Sequence, residues 1–285
     1  MTIAHNALAA IYPALRLYNN LMSAIFSSMP PVRILIYHDI PPSQEEIFSK
    51  QLLFMQRSWQ FITPQQFDEH LSGSSPIKQR SLLLTFDDGY LSNRHIAEGI
   101  LKPLGISALF FIVSDFMDIT NPIDARRYIK EHFFPEQKET HIPLHCQNMN
   151  WNDLEYLLKQ GHTIGAHTKS HARLSEVDEG ELWEEIVASA DRVEQQLGIT
   201  VKHFAYTFGD LKSFSSQAFK VAHNRFDMIF TGLRGPNSPC VNPFALHRDA
   251  ICPSNSHFLI GALLEGGADQ LYRHAINTYK SWSNR

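Results

Sequence analysis

The sequence has few cysteines and no long apolar run, and both absences narrow the classes of protein that it can encode. Three cysteines in 285 residues form neither a Cys-x-x-Cys pair nor a disulfide framework. No uninterrupted run of about 20 apolar residues occurs, so a membrane-spanning helix is not expected. The N-terminus also lacks a cationic start before its apolar part, which argues against a secretion signal. We therefore expect a cytoplasmic protein, in a compartment that keeps thiols reduced.

Charge is sparse and nearly balanced. Lysine and arginine together number 25 and the acidic residues 29, which gives a net charge of −4. No block of five or more basic residues occurs, so a nucleic-acid partner is not expected. The hydrophobic content of 44% and the charged content of 19% are typical of an ordinary globular protein.

The first 30 residues have the periodicity of an amphipathic helix, which Pro30 and Pro31 end. Its apolar residues recur at steps of three and four: Leu8, Ile11, Leu15, Tyr18, Met22, Ile25 and Met29. Two arrangements are open, a helix packed on the domain or an interfacial helix in peripheral contact with a membrane. The near absence of cations on the polar face argues against the second. We predict a helical extension over residues 1–30 and one domain over residues 31–285.

Within residues 31–285, apolar strands alternate with helical segments about seven times. This alternation predicts an α/β fold with a parallel sheet and helices outside it. No internal repeat and no interdomain linker is evident. Polar residues that could do chemistry follow the strands, which favours a (β/α) barrel with its site at the carboxyl ends of the strands.

The apolar run that begins at Ser81 ends in two adjacent carboxylates, Asp87 and Asp88, followed by Gly89. A strand that stops in this way delivers two acids to the edge of a sheet, where loops gather ligands. Neighbouring residues on a strand point to opposite faces, so one acid could bind a metal while the other accepts a proton. The alternative is a simple hairpin turn, because Asp-Gly is a common turn signal.

A second segment favours the metal site. His167 and His171 are four residues apart, and on a helical turn this spacing puts both imidazoles on one face. One carboxylate and two histidines with open positions left over are a recurrent catalytic metal arrangement. With one of the two adjacent acids as the carboxylate, zinc is the expected ion, and cobalt, nickel, manganese and iron are alternatives.

These two segments resemble the first two motifs of the NodB-type polysaccharide deacetylases, also called carbohydrate esterase family 4. Thr85-Phe-Asp-Asp-Gly89 matches the first motif, and His167-Thr-Lys-Ser-His171 matches the second. They occur in the family's order, and the resemblance covers roughly residues 32–250. It implies a distorted (β/α) barrel of about seven strands and metal-dependent removal of N-acetyl groups from an amino sugar or polysaccharide. It also implies that Asp87 is the base and that Asp88, His167 and His171 bind the metal.

The other family motifs match less well. Phe208 occupies the position whose backbone N–H helps to bind the oxyanion, but Ala205 stands where the family has an arginine that orients the base. We hypothesise that Arg248 supplies this charge instead. His247 is a candidate general acid, although the sequence does not say which of these two neighbours points inward.

His38, which ends the first strand, and Tyr206 are the predicted substrate-binding residues; for His38, a purely structural role at a strand end is equally compatible with the sequence. Three functions are compatible with these residues. The first is a carbohydrate N-deacetylase, and the second is an amidohydrolase of the same fold that acts on another amide, such as an N-formyl sugar. The third is a catalytically silent carbohydrate-binding barrel. Because a binding module needs no base beside a metal, the intact Asp87 favours an enzyme with a carbohydrate substrate.

Overall fold

A computed structural model describes residues 3–26, 30–237 and 241–283, so the predictions that concern Met29 and Cys240 lie outside the described residues. The strands are β1 Val32–Tyr37, β2 Gln60–Ile62, β3 Ser81–Phe86, β4 Ala108–Ile112, β5 Thr163–Ala166, β6 His203–Ala205, β7 Met228–Phe230 and β8 Asp249–Ala250. The α-helices are α1 Ile3–Ala10, α2 Tyr12–Phe26, α3 Glu45–Gln56, α4 Pro64–Leu71, α5 Leu91–Ile96, α6 Lys102–Leu104, α7 Pro122–Tyr128, α8 Trp151–Lys159, α9 Glu179–Trp183, α10 Ser189–Leu197, α11 Ser216–Arg225, α12 His257–Leu264 and α13 Arg273–Ser283. Among the described helices, none combines the length and the apolarity needed to cross a membrane.

The strands form one parallel sheet that curves into a distorted barrel. Seven of them lie in the order β7-β6-β5-β4-β3-β1-β8, and β2 adds to β3 beside this path. A parallel bridge joins Phe230 of β7 to Leu246, and the same segment then continues into β8 beside β1. The two ends of the sheet are thereby connected. The predicted barrel of about seven parallel strands with helices outside is confirmed.

Alternation along the strands separates an inner core from an outer one. On β3, Leu83 belongs to the cluster inside the barrel, whereas Leu82 and Leu84 belong to the cluster beneath the helices. The inner cluster consists of Val32, Ile34, Ile62, Phe67, Leu83, Leu109, Phe111, Ala205, Met228, Phe230 and Leu246. Because the period is two residues, this register turns Asp87 toward the barrel interior.

The N-terminal extension is helical, as predicted, but it consists of two helices that break at Ile11. Pro13 has no N–H, and its ring would clash with the carbonyl four residues earlier, so one helix cannot run through this point. Both helices pack on α12. Among the side chains of the pair whose burial is described, Tyr12 is the most buried, and it packs edge-on against Phe54 and Phe258.

The predicted apolar face of the extension is only partly covered. Leu8 and Leu15 are half-buried, whereas Ile11, Tyr18 and Ile25 are exposed. The helix break explains this, because it rotates the residues of α2 out of register with those of α1. The extension therefore packs on the domain through α1 and through one side of α2, where Arg16 donates to Ser58 Oγ and Asn19 donates to Glu265.

A long excursion between β4 and α8 crosses the carboxyl-end face of the barrel. It contains α7 and a π-helical turn, Ile129–Phe133. Its last residues lie over the Asp-Asp-Gly turn, where Leu91 N donates to Gln147 O (2.7 Å) and Met149 N donates to Gly89 O (2.9 Å). The excursion therefore forms one wall of the face where the predicted site lies.

Candidate active site

The predicted chemical residues come from four segments of the barrel and meet at the end of the barrel where β3, β5 and β6 finish. Asp87 and Asp88 follow β3, His167 follows β5, Phe208 lies beyond the end of β6, and Arg248 directly precedes β8. Parallel strands bring these ends to one edge of the sheet, which is why residues distant in the sequence come together.

The Asp-Asp-Gly segment is a strand-to-helix turn and not a hairpin. Asp87 N donates to Tyr37 O (2.9 Å), which extends the pairing of β3 with β1 by one residue. The chain then turns sharply, with φ of 76° at Asp88 and 95° at Gly89, and enters α5. A side chain at Gly89 would be strained at this φ, and its Cβ atom, 2.6 Å from Met117 Cε, would also displace that methyl group.

The segment between the two histidines is a loop, so the predicted helical turn is wrong. Thr168 and His171 both have positive φ, 65° and 64°. Thr168 Oγ1 accepts a hydrogen bond from His171 N (3.0 Å), which closes the loop. The two imidazoles still converge, because the loop folds back on itself rather than because of a helical repeat.

Asp88, His167 and His171 form a buried cluster with the spacing of metal ligands. Asp88 Oδ1 lies 3.5 Å from Nε2 of His167 and 3.5 Å from Nε2 of His171. Ligand atoms around a tetrahedral zinc ion lie roughly 3.4 Å apart, given bonds of about 2.0–2.2 Å. Asp88 Oδ1 is also buried without a hydrogen-bond partner. A buried carboxylate oxygen in this condition is costly unless a cation binds it, so these residues fit a metal ion.

Backbone carbonyls orient both imidazoles toward this cluster. His167 Nδ1 donates to Ala205 O (2.8 Å), and His171 Nδ1 donates to His132 O (3.1 Å). These hydrogen bonds orient each ring so that Nε2, the nitrogen left to bind a metal, faces Asp88. The rings of Phe133 and Phe208, each centred 4.6 Å from that of His171, hold this imidazole from two sides.

Asp88 and His171 are in the protonation states that metal ligands need. Burial opposes ionisation of Asp88, but the imidazoles of His167 and His171 and the more exposed His38 lower its pKa to about 2. Burial lowers the pKa of His171 to about 4, against the opposing effect of Asp88. Near neutral pH the carboxylate is therefore ionised and the His171 imidazole neutral.

Arg248 points inward and pairs with Asp87. Its Nη1 and Nη2 donate to Asp87 Oδ1 (2.7 Å) and Oδ2 (2.9 Å), and its Nε donates to Thr231 O (3.0 Å). Arg248 is 1% exposed. Asp87 Oδ2 also lies 3.9 Å from His167 Nε2, so the paired carboxylate faces the metal-ligand cluster. Arg248 thus places beside Asp87 the positive charge that the alanine at position 205 cannot supply, and it does so from a different segment of the chain.

Two predicted site residues lie elsewhere. His247 faces outward, with Nδ1 against Pro236 O (3.2 Å), because its neighbour Arg248 takes the inward position. Tyr206 is 1% exposed and stacks on Phe214, with ring centroids 4.1 Å apart. Neither side chain reaches the open face of the cluster, so the assignments of His247 as general acid and Tyr206 as a substrate-binding residue are corrected.

Phe208 and His38 do lie at the open face. Phe208 is 39% exposed, and Arg173 stacks over its ring at 4.2 Å. Its backbone N–H donates to no other described residue. His38 is exposed, and its charge is close enough to lower the pKa of both Asp88 and His171. Asn93 Nδ2 holds the carbonyl of His38 at 2.8 Å.

Backbone strain is concentrated in this cluster. Among the described residues, positive φ at a position other than glycine occurs at Asp88, Thr168, His171 and Phe208. Each such residue costs of order 1–3 kcal/mol and persists only when the surroundings hold it. Among the described residues other than glycine, the backbone strain of positive φ is therefore confined to these four residues of the candidate site.

Sequence reasoning missed the group that supports the histidine loop. Glu185 accepts from Lys169 N (3.1 Å), Ser170 N (2.9 Å) and Ser170 Oγ (2.7 Å), and it is only 9% exposed. A signal was present, because Glu185 lies in the π-helical turn Glu184–Ala188 that joins α9 to α10, three residues after Leu182 on the apolar face. An acid in an apolar stripe indicates a buried partner.

Comparison with known proteins agrees with this geometry. The profile of the family described as polysaccharide deacetylase matches residues 74–225, more than half of the chain. A Bacillus subtilis (strain 168) protein named "Putative polysaccharide deacetylase YxkH" is 23% identical over 239 residues, which span 81% of this chain and 75% of that protein.

Two solved structures share the fold. The Streptococcus pyogenes deacetylase PplD, in complex with acetate, superposes with a TM-score of 0.63 at 20% identity, over 82% of this chain and 97% of that one. IcaB from Ammonifex degensii superposes with a TM-score of 0.66 at 21% identity, over 83% of this chain and 97% of that one. Together with the profile match, the convergent Asp and His residues lead to one conclusion: the chain belongs to the polysaccharide deacetylase family, metal-dependent hydrolases that act on the N-acetyl amide bonds of carbohydrates.

Proposed function

We propose that this enzyme uses one zinc ion, bound by Asp88, His167 and His171, to remove the acetyl group from an N-acetylated amino sugar. The observation that carries the proposal is the convergence of two imidazole nitrogens on a buried carboxylate oxygen that has no hydrogen-bond partner. Zinc is favoured because it takes nitrogen and oxygen ligands in four-coordinate sites and leaves a position open for catalysis.

The bound ion would lower the pKa of a water molecule and polarise the amide carbonyl. Asp87 is the residue that accepts the proton from that water. Arg248 fixes both of its oxygens, so the carboxylate cannot rotate to become a further metal ligand. This separation of roles, one acid as base and its neighbour as ligand, is supported by their different partners.

Phe208 is proposed to stabilise the oxyanion through its backbone N–H. Its positive φ of 61° turns this amide away from the regular strand direction. The amide has no acceptor among the described residues, which leaves it available to substrate. A preorganised donor of this kind is worth about 10²–10³ in rate.

His38 is proposed as the general acid in place of His247, because it is the exposed histidine whose charge acts on the ligand cluster. We expect His38→Gln to lower kcat by about 10² or more, with the metal content unchanged. His247→Gln is the matched control, and its kcat should stay within about threefold of the native value, because its imidazole faces the outer core. Equal losses in the two variants would rule out this assignment.

The substrate is proposed to carry an apolar group beside the sugar. A cavity of about 590 Å³ has His38 in its wall and lies between α1 and α12. Its lining is largely apolar, with Leu8, Ile251, Leu259, Leu263, Leu271 and Tyr272. A lipid-linked sugar would place its chain here, and we expect a higher kcat/KM for such a substrate than for the same free sugar.

Peripheral membrane contact is proposed through α2, which exposes Leu17, Leu21 and Ile25. A cytoplasmic location is proposed with it, supported by the free thiols of Cys146 and Cys252. Co-sedimentation with phospholipid vesicles tests the contact, and the Leu17→Ser/Leu21→Ser variant should bind them less.

The central test combines metal analysis with acetate release. Asp88→Asn and His171→Gln should each remove the active-site ion and abolish acetate release from N-acetylglucosamine oligomers. Asp227→Asn and His223→Gln are matched controls, because both residues are exposed and lie outside the cluster. Acetate release that persists in Asp88→Asn, or in protein freed of metal, would overturn the proposal.

A further inference from the structure

A second cluster of metal-binding side chains lies beside the active site. Asp39, His145 and Cys146 each bring one ligand atom within 4.8 Å of the others. Asp39 Oδ2 is 3.0 Å from His145 Nε2 and 3.6 Å from Cys146 Sγ. Around a tetrahedral zinc ion, oxygen would lie roughly 3.4 Å from nitrogen and roughly 3.6 Å from sulfur. The two distances from Asp39 Oδ2 are thus within about half an ångström of those around zinc, and His145 Nε2 and Cys146 Sγ lie within 4.8 Å of each other.

The Asp39 carboxylate is already oriented for this task. Ile40 N donates to Ser92 Oγ (3.1 Å), and Ser92 Oγ donates to Asp39 Oδ1 (2.7 Å). This chain of hydrogen bonds fixes the carboxylate and leaves Oδ2 directed at His145 and Cys146. Metal-binding carboxylates are held in the same way by a partner on their other oxygen.

Burial leaves one open side. Cys146 is 6% exposed, whereas the side chains of Asp39 and His145 are 18% and 31% exposed. Three protein ligands and one solvent-facing position would complete four-coordination. A donor set of oxygen, nitrogen and sulfur suits zinc and cobalt, and it does not suit magnesium or calcium.

We propose that Asp39, His145 and Cys146 bind a second divalent transition-metal ion, separate from the catalytic one. The ion would join the end of β1, next to His38, to the segment that then passes over Gly89. Burial, and after it the charges of Asp88 and Asp39, raise the pKa of the Tyr90 hydroxyl, so Tyr90 lies near both clusters. The second ion would thus hold one wall of the active site in place.

Without an ion, the same groups form a hydrogen-bonded triad in which the Cys146 thiol donates to Asp39. The two arrangements differ in one measurable property, a bond between metal and thiolate. Cobalt reports that bond through a near-ultraviolet thiolate-to-cobalt charge-transfer band. The ligands Asp88, His167 and His171 contain no sulfur, so an ion in the catalytic site cannot give this band.

The experiment is cobalt titration of the metal-free protein. In the Cys240→Ser/Cys252→Ser variant, Cys146 is the only thiol, and we expect the band to be retained. Cys146→Ser should abolish the band and lower the bound cobalt by about one ion per chain. His145→Gln leaves the thiol in place, and we expect cobalt affinity at this site to fall about tenfold or more. Asp88→Asn should keep the band, which separates this proposal from that of the catalytic ion.

Two results would overturn the second site. One is the absence of a thiolate band in the native protein at saturating cobalt. The other is a band that survives Cys146→Ser and disappears in Cys240→Ser/Cys252→Ser. Neither result would bear on the catalytic site, which is tested by acetate release.

Discussion

At the scale of single residues, Arg248 restricts what Asp87 can do. The guanidinium binds both oxygens of the carboxylate, and Thr231 O fixes the guanidinium in turn. The paired carboxylate keeps the lone pairs that point away from Arg248, and its Oδ2 lies toward His167. A base held in this way needs no reorientation during the reaction.

We expect Arg248→Ala to lower kcat by about 10²–10³, because Asp87 would lose its orientation and could turn toward the metal. The metal content should be unchanged. Arg248→Lys should give an intermediate kcat, since lysine keeps the charge but not the two-pronged contact. Steady-state acetate release and elemental analysis measure both quantities.

Arg33→Lys is the matched control for this prediction. Arg33 is another buried arginine with two bonds to one carboxylate, that of Asp249, but it faces the outer core. Its substitution should lower stability and leave kcat nearly unchanged. An Arg248→Ala variant as active as the native enzyme would show that Asp87 needs no such partner.

The site residues that could be predicted from the sequence are those whose side-chain chemistry alone indicates their role. Carboxylates and imidazoles can bind a metal and accept protons, so Asp87, Asp88, His167 and His171 could be named from the sequence. The groups that orient them could not, because Ala205 O and His132 O are carbonyls that every residue has. The choice between His247 and Arg248 depended on strand register, which adjacent positions do not reveal.

At the scale of elements, the loop of residues 167–171 depends on a helix that contributes no ligand. Glu185 binds two backbone N–H groups and one hydroxyl of this loop. Its carboxylate therefore helps to hold the positive φ values of Thr168 and His171, which the loop would not adopt alone.

We expect Glu185→Gln to weaken zinc binding at the catalytic site about 10–100-fold, because its support of the loop is lost in part. Competition with a zinc-binding dye measures this affinity. Glu184→Gln is the matched control, since Glu184 is 54% exposed and only its ion pair with Lys169 at 3.5 Å is lost. Equal affinities for Glu185→Gln and the native protein would refute this role of Glu185.

Helices begin where the sequence predicts when a capping residue marks their first turn. Thr63 caps α4 and Asn150 caps α8, each with a reciprocal hydrogen bond three residues on. The periodicity of residues 1–30 was less informative, because Pro13 breaks the helix inside a continuous apolar pattern. The histidine loop was missed because no sequence pattern marks it. Positive φ in a threonine and a histidine has no signature in composition.

At the scale of the whole molecule, buried neutral histidines make folding sensitive to acid. His162 is 5% exposed, and its Nδ1 accepts from Ala108 N (3.1 Å) between β4 and β5. Its ring also meets the Phe110 ring edge-on, at 5.3 Å. Burial lowers the pKa of His162 from 6.5 to about 4. Only the neutral imidazole can accept the Ala108 hydrogen bond, so protonation and folding compete.

The sign of the pH dependence follows from this competition. Between pH 6.5 and 4 the unfolded chain binds a proton at His162 and the folded chain does not, so stability falls as the pH falls. We expect His162 to account for a loss of about 2 kcal/mol in the free energy of unfolding between about pH 7.5 and pH 5, measured by urea denaturation. His162→Gln should be less stable at the higher pH but should lack this part of the decline. His95→Gln, at an exposed histidine, should keep it. A decline of the same size in His162→Gln would assign the acid sensitivity to other groups.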